Sequence, residues 1–282
     1  MADVAWGLLL HLSMNMWTDR KQIDEGEFLT PSERVPFHDH LPEMFDEDVY
    51  AQATADLAGA GGTMVVLDLG EATVRTCLDR GAQVAGFDIV ASTVLSSEHR
   101  TWQVDVADGL TVAAAVTEVN GWLGGLDAVL HVAGIVGSTA SIDDLAEADW
   151  SRVIAVNLTG PYLVAKHTLP LLAESGGTLV LVGSGAGVHN AHPSVAYAAA
   201  KGGLHALALT LHEEWRERGV NVVALLPTSI DTPLVRNSGA DPVVLAEQRA
   251  RHRLLTADEC AAVLAFLATP AGAAVRGAIR TW

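Results

Sequence analysis

The sequence predicts an α/β fold, a doubly wound parallel sheet with helices on both faces, over residues 63–282, preceded by an atypical strand-loop-helix extension over 1–62. Two observations predict it. From Thr63 onward, short β-branched runs alternate with longer amphipathic stretches, the rhythm of βαβ units. One of the runs, LDAVLH, is mostly apolar and reads as a buried strand, as expected of a strand covered on both faces.

Thr63 to Leu69 (TMVVLDL) reads as the first strand, Glu71 to Arg80 as a helix closed by Gly81, and Gln83 to Ile89 as the second strand. Thr101 to Val106 is the next strand candidate, followed by a helix over Ala107 to Leu123 and a buried strand over Leu126 to His131. Helices over Trp150 to Glu174 and Ala196 to Arg218 frame strands at Gly177 to Val182 and Val220 to Leu226.

Half of the 282 residues are apolar, so the chain can bury a sizeable core. The formal net charge of −17 excludes a sequence-independent grip on nucleic acid or anionic lipid, because both need a surplus of lysine and arginine. Cys77 and Cys260 lie far apart and fit no metal or redox spacing, which points to a reducing cytoplasm. The apolar run Val4 to Leu12 is too short for a bilayer and lacks the flanks of a targeting signal, so no membrane segment is expected.

The strongest chemical pattern is Ser184, Tyr197 and Lys201 within LVLVGSGAGVHNAHPSVAYAAAK. Tyr197 and Lys201 are four apart, hence one helical turn apart on one face. A free tyrosine titrates near pH ~10, and a neighbouring ammonium favours the phenolate, so the spacing predicts a phenol whose proton is usable nearer neutrality. Ser184, just past a strand end, could hold a substrate oxygen against that phenol.

This YxxxK pattern, its serine, the VNLTGP segment around Asn157 and the C-terminal VRGAIRTW together resemble the short-chain dehydrogenase/reductases, from about Leu69 to the C-terminus. The resemblance implies a Rossmann-type domain that reversibly transfers hydride between NAD(H) and a small carbonyl compound or secondary alcohol. Ser184, Tyr197, Lys201 and Asn157 would then be catalytic, with Asn157 anchoring a water beside Lys201. It also implies a homo-oligomer, dimer or tetramer, associated through the helices that begin near Ser151 and Ala196.

Cofactor contacts follow by position. Asp88 ends the second strand, where a carboxylate accepts hydrogen bonds from a ribose diol and repels a 2′-phosphate, which favours NAD over NADP. Asp105 matches the adenine-contacting acid of the family and Val106 follows it; the alternative reading makes Asp88 and Asp105 turn formers at strand ends. Ala133 and Gly134 stand in HVAG where the family has NNAG, Gly134 allowing close approach. Thr232, in LPTSIDTP, could bond the nicotinamide amide, although the family's PG is here Pro227 and Thr228.

The chain departs from the family after its first strand. Relatives place a TGxxxGxG turn there, whose amides cradle a pyrophosphate. Here only Leu67, Asp68, Leu69 and Gly70 stand between strand and helix, roughly six residues too few. Asp68 and Glu71 have the spacing of a capping box that would occupy the helix N-terminus with anions, and Gly70 is the one glycine left. Two other functions therefore stay open: a non-redox proton-transfer enzyme (elimination, isomerisation or cyclisation), or a catalytically silent protein.

Residues 1–70, through LLLHLSMNMWTDR and FDEDVYAQATADLAGAGGTMVVLDLGEA, resemble the opening of a sugar-phosphate isomerase/epimerase TIM barrel of the xylose-isomerase type. That segment is too short for a barrel active site, and it reads either as half of a chimera joined near Asp68 to Glu71 or as an ordinary extension. His38, Asp39 and His40 suggest a metal by residue type, but neighbours in an extended loop point apart, so no metal is expected. His131 reads as a satisfied buried histidine, and His189 and His192 as members of a solvated loop.

Overall fold

The computed structural model describes residues 63–67, 70–89, 94–188, 194–227, 230, 255–275 and 277–280. The N-terminal extension, with its isomerase/epimerase resemblance and the His38–His40 cluster, lies outside the described residues. So do Asp68, His189, His192, Thr228 and Thr232.

Seven strands form one parallel sheet: β1 (Thr63–Leu67), β2 (Gln83–Asp88), β3 (His99–Gln103), β4 (Ala128–His131), β5 (Thr178–Val182), β6 (Asn221–Leu226) and β7 (Gly277–Arg280). Their order is β3-β2-β1-β4-β5-β6-β7, with every pairing parallel. Strand order reverses between β1 and β4, so a crevice opens beyond their C-terminal ends, where doubly wound folds bind ligands.

The covering helices are α1 (Gly70–Asp79), α2 (Gly109–Leu123), α3 (Glu147–Ile154), α4 (Gly160–Ser175), α5 (Val195–Trp215) and α6 (Ala257–Leu267). Alternation along the strands divides the core in two. Leu179 and Leu181 of β5 join Val116, Val164, Leu172 and Leu204 in one cluster, under α2, α4 and α5. Val180 and Val182 face the other way, into a cluster with Val74, Cys77, Cys260 and Leu264 of α1 and α6.

Local chemistry fixes the helix ends. Asp108 caps α2 through Leu110 N–H, and Gly124 closes it at φ 76°. Thr256 and Glu259 form a reciprocal capping box at α6. Gly81 takes φ 81° after α1, the stop read from the sequence.

Three readings need correction. The third strand runs from His99 to Gln103 rather than Thr101 to Val106; the β-branched run misled, because β3 is an edge strand with exposed positions. The helix expected from Trp150 to Glu174 is two helices joined by a π-helical turn, Ala155–Thr159. Pro161 has no N–H to return to Asn157, so the α ladder cannot continue there unbroken. Helix α6 and strand β7 were not read as elements, although the Thr256–Glu259 pair is a legible start signal.

Candidate functional site

Ser184, Tyr197, Lys201 and Asn157 converge at the C-terminal ends of β4 and β5, beside the point where strand order reverses. Ser184 follows β5 and opens a 3-10 turn, Gly185–Gly187, by accepting from Ala186 N–H at 3.2 Å. Ser194 caps α5, accepting from Tyr197 N–H at 3.4 Å and donating to the Val136 carbonyl at 2.9 Å. That buried cap sets the start of α5, and with it the position of Tyr197. Sequence reading passed over Ser194, though a serine three residues before a helical tyrosine is an ordinary N-cap signal.

Gly187 packs directly on the backbone of α5. A Cβ there would lie well under 3.0 Å from atoms of Lys201 and Gly202. Gly187→Ala is therefore expected to cost about 1–3 kcal/mol in chemical denaturation, because α5 has to move. A variant as stable as the parent would refute this packing.

Asn157 lies at the centre of the π turn and is fully buried. Its Nδ2 donates to the Ile135 carbonyl at 2.7 Å, and its Oδ1 accepts from Ile135 N–H at 2.8 Å. This pair ties the segment after β4 to the α3–α4 junction. A Cβ on Gly134 would come within 3.2 Å of Asn157 Oδ1 and 3.5 Å of Lys201 Nζ. Gly134 is thus the place where the amide oxygen and the amine approach one backbone.

Lys201 is buried, 4 % exposed, and its Nζ donates to the Val182 carbonyl at 2.8 Å while standing 5.8 Å from the Tyr197 ring centre. Burial pulls its pKa down to about 8. The phenol behaves differently from the sequence expectation. Burial raises the Tyr197 pKa above its ordinary value, opposed by the hydrogen bond from the Ser184 hydroxyl. Desolvation outweighs stabilisation of the phenolate, and the amine spends its hydrogen bond on a backbone carbonyl. Across the neutral range the site holds a protonated phenol beside a hydroxyl, an arrangement suited to giving a proton to an oxygen.

His131 ends β4, in register with Leu67 of β1 and Leu181 of β5. It is buried as expected, but Nε2 has no hydrogen-bond partner among the described residues, which corrects the reading of a satisfied histidine. Burial, then the charge of Lys201, lowers its pKa to about 3. Between the ordinary value of 6.5 and about 3 the folded state binds fewer protons than the unfolded state. The stability that depends on a neutral His131 is complete above pH ~6.5 and is lost as pH falls toward ~3, by a few kcal/mol at most. His131→Asn should move the acid-unfolding midpoint, followed by circular dichroism, to lower pH; an unchanged midpoint would argue against this.

The remaining positions are spread along the same sheet edge. Asp88 is the last residue of β2, half-buried, and its carbonyl accepts from Val104 N–H at 2.9 Å. Asp105 is exposed, and its Oδ1 accepts from Ala107 N–H at 2.9 Å, the turn-forming arrangement. Val106 is buried and packs on Gly160 at the start of α4. Ala133 is buried beside Gly134. No group of three or more metal-ligating side chains occurs among the described residues.

These residues fit the two ends of a nicotinamide dinucleotide. Gly134 leaves an open approach beside Lys201 and Asn157 at one end, and Asp88 and Asp105 supply carboxylates at the other. They do not fit its middle. β1 stops at Leu67 and α1 starts at Gly70, which leaves residues 68 and 69 as the whole connection.

A doubly wound sheet carrying serine, tyrosine and lysine at its switch point is an arrangement suited to proton transfer. Residues 66–281 match the family described as Enoyl-(Acyl carrier protein) reductase. The chain belongs to the short-chain dehydrogenase/reductase family. It is 34 % identical over 242 residues, 82 % of this chain and 95 % of the relative, to cis-4-hydroxycyclohexanecarboxylate dehydrogenase of Sinomonas cyclohexanicum. It is 32 % identical over 235 residues, 80 % of this chain and 86 % of the relative, to galactitol 2-dehydrogenase of Rhizobium johnstonii. The crystal structure of levodione reductase superposes with a TM-score of 0.73 at 27 % identity, covering 78 % of this chain and 95 % of that one. Family members of this kind are hydride-transfer oxidoreductases, and no described helix is long and apolar enough to cross a membrane.

Proposed function

We propose that residues 63–282 form an NAD(H)-using oxidoreductase that interconverts a small secondary alcohol and its ketone, with Tyr197 as the proton-transferring group. One observation carries this reading: the Tyr197 phenol is hydrogen-bonded by Ser184 and stands one turn from a buried Lys201. Bound in the crevice, the dinucleotide supplies or accepts the hydride at the substrate carbon. In reduction, Ser184 orients the substrate oxygen, and the Tyr197 hydroxyl gives it the proton as negative charge develops there. Lys201 and Asn157 hold the floor of the site against Val182 and Ile135, and Lys201 provides positive charge near the phenolate left behind.

The substrate class is supported by relatives whose names describe oxidation of hydroxyl groups on a cyclohexane ring and on a sugar alcohol. Asp88 supports NAD over NADP, by repelling a 2′-phosphate. Thr232 is retained in this reading as the nicotinamide-amide contact. We place the chain in the cytoplasm, as a homodimer or homotetramer joined through α4 and α5, which expose Tyr162 and Leu209. Residues 1–62 are then an added segment ahead of the catalytic domain.

The test is to supply NADH deuterated at C4, at millimolar concentration, with a panel of small cyclic and linear ketones. Deuterium on the carbinol carbon of the product is expected. If ketones are left unreduced while the protein binds NADH, the redox reading fails. The two-residue β1–α1 connection favours a second reading, in which the same phenol moves protons without a dinucleotide. Cofactor-independent exchange of substrate α-protons, lost in Tyr197→Phe, would select it.

A further inference from the structure

We infer that the β1–α1 junction of this chain is not a pyrophosphate cradle, so that a dinucleotide is held there by its two ends and gains little from its central phosphates. The inference rests on the proposed dinucleotide site but concerns affinity, not turnover.

Geometry sets the limit. Residues 68 and 69 are the whole link between β1 and α1. A turn that wraps a pyrophosphate needs several consecutive amides directed at the ligand, followed by an open helix N-terminus. A two-residue link supplies too few amides for that. The link and the first turn of α1 also contribute Asp68 and Glu71, two carboxylates in the four residues Asp68 to Glu71, where relatives offer glycines. An anion brought there meets charge of its own sign.

Two independent observations mark the same place. Gly70, the first residue of α1, is exposed at φ 46°, and a Cβ on it would meet nothing within 4 Å, so a longer turn has room. On the adjoining strand, His131 pairs in register with Leu67 and keeps a buried Nε2 without a partner among the described residues. Buried polar atoms ordinarily have a partner, and the end of the sheet beside the short link lacks that closure. The rest of the framework is intact: β1 pairs with β2 and β4 in full register, and Thr73, Val74 and Cys77 of α1 are buried in the core.

Calorimetric titration of the full chain with NADH, adenosine, reduced nicotinamide mononucleotide and inorganic pyrophosphate tests this. Pyrophosphate should not compete with NADH, whereas adenosine and reduced nicotinamide mononucleotide should each compete at their own end. Competition by pyrophosphate would overturn the inference without any variant being made. A second protein carries a six-residue glycine-rich insertion between Leu67 and Gly70. In it, NADH should tighten by about 100-fold or more while adenosine is unchanged. If the insertion variant keeps its circular dichroism spectrum and NADH affinity does not rise, the short link is not what limits binding and the inference fails. Deuterium transfer from millimolar NADH by the parent chain is read separately, so failure of the redox reading and failure of this inference remain distinct.

Discussion

Tyr197→Phe is expected to lower kcat for ketone reduction by about 10²- to 10⁴-fold, the usual contribution of a positioned acid, with little change in fold or NADH affinity. The hydroxyl is the only atom removed, and the geometry gives it a specific task. Ser184 hydrogen-bonds it, and burial holds it protonated through the neutral range. The ring stays packed against Ala196, Ala200 and Val153, so the cluster around it loses nothing apolar. Steady-state assays at saturating NADH, with thermal melts of both proteins, separate chemistry from stability. Retention of more than about a tenth of the parent kcat would remove Tyr197 from the proton path.

Lys201→Met should give the opposite pairing of effects, a more stable protein that turns over poorly. Burial lowers the lysine pKa from 10.5 to about 8. That shift corresponds to a penalty on the order of 3 kcal/mol for keeping the ammonium buried, partly offset by about 1 kcal/mol from its hydrogen bond to the Val182 carbonyl. Methionine fills similar space without the charge, so a net gain of about 1–2 kcal/mol is expected at pH 7, or a few degrees in Tm. The sign follows from linkage. The folded state binds fewer protons than the unfolded state between pH ~8 and ~10.5, so the penalty is complete below ~8 and fades as pH rises. The gap between variant and parent should close over that interval. Other titrating groups, the buried Cys77 and Cys260 included, cancel in the difference. Greater stability of the parent at neutral pH would mean that the hydrogen bond outweighs the buried charge.

Much of this was legible in the sequence because the signals were periodic or paired. Mostly apolar runs marked β4, β5 and β6, and the four-residue spacing of Tyr197 and Lys201 placed both on α5. The missing glycine-rich turn was read as a short count between Leu67 and Gly70, and β1 ends at Leu67 and α1 begins at Gly70. What sequence could not supply were balances between opposing effects. A nearby amine argued for an acidic phenol, yet desolvation wins once Tyr197 is half-buried beside a buried Lys201 and Nζ turns to Val182. His131 looked satisfied, because its lack of a partner depends on which loops end beside β4. The break between α3 and α4 follows from one missing N–H at Pro161, a local exception that helix periodicity does not register.

The claim on which the account depends is that residue 197 is a protonated phenol at neutral pH, ready to donate. The chain has three tyrosines, so the tyrosinate absorbance of the parent minus that of Tyr197→Phe isolates this one group across a pH titration. A phenolate that forms only above pH ~10 in the cofactor-free protein is the predicted result. Ionisation already under way below pH ~8 would contradict it.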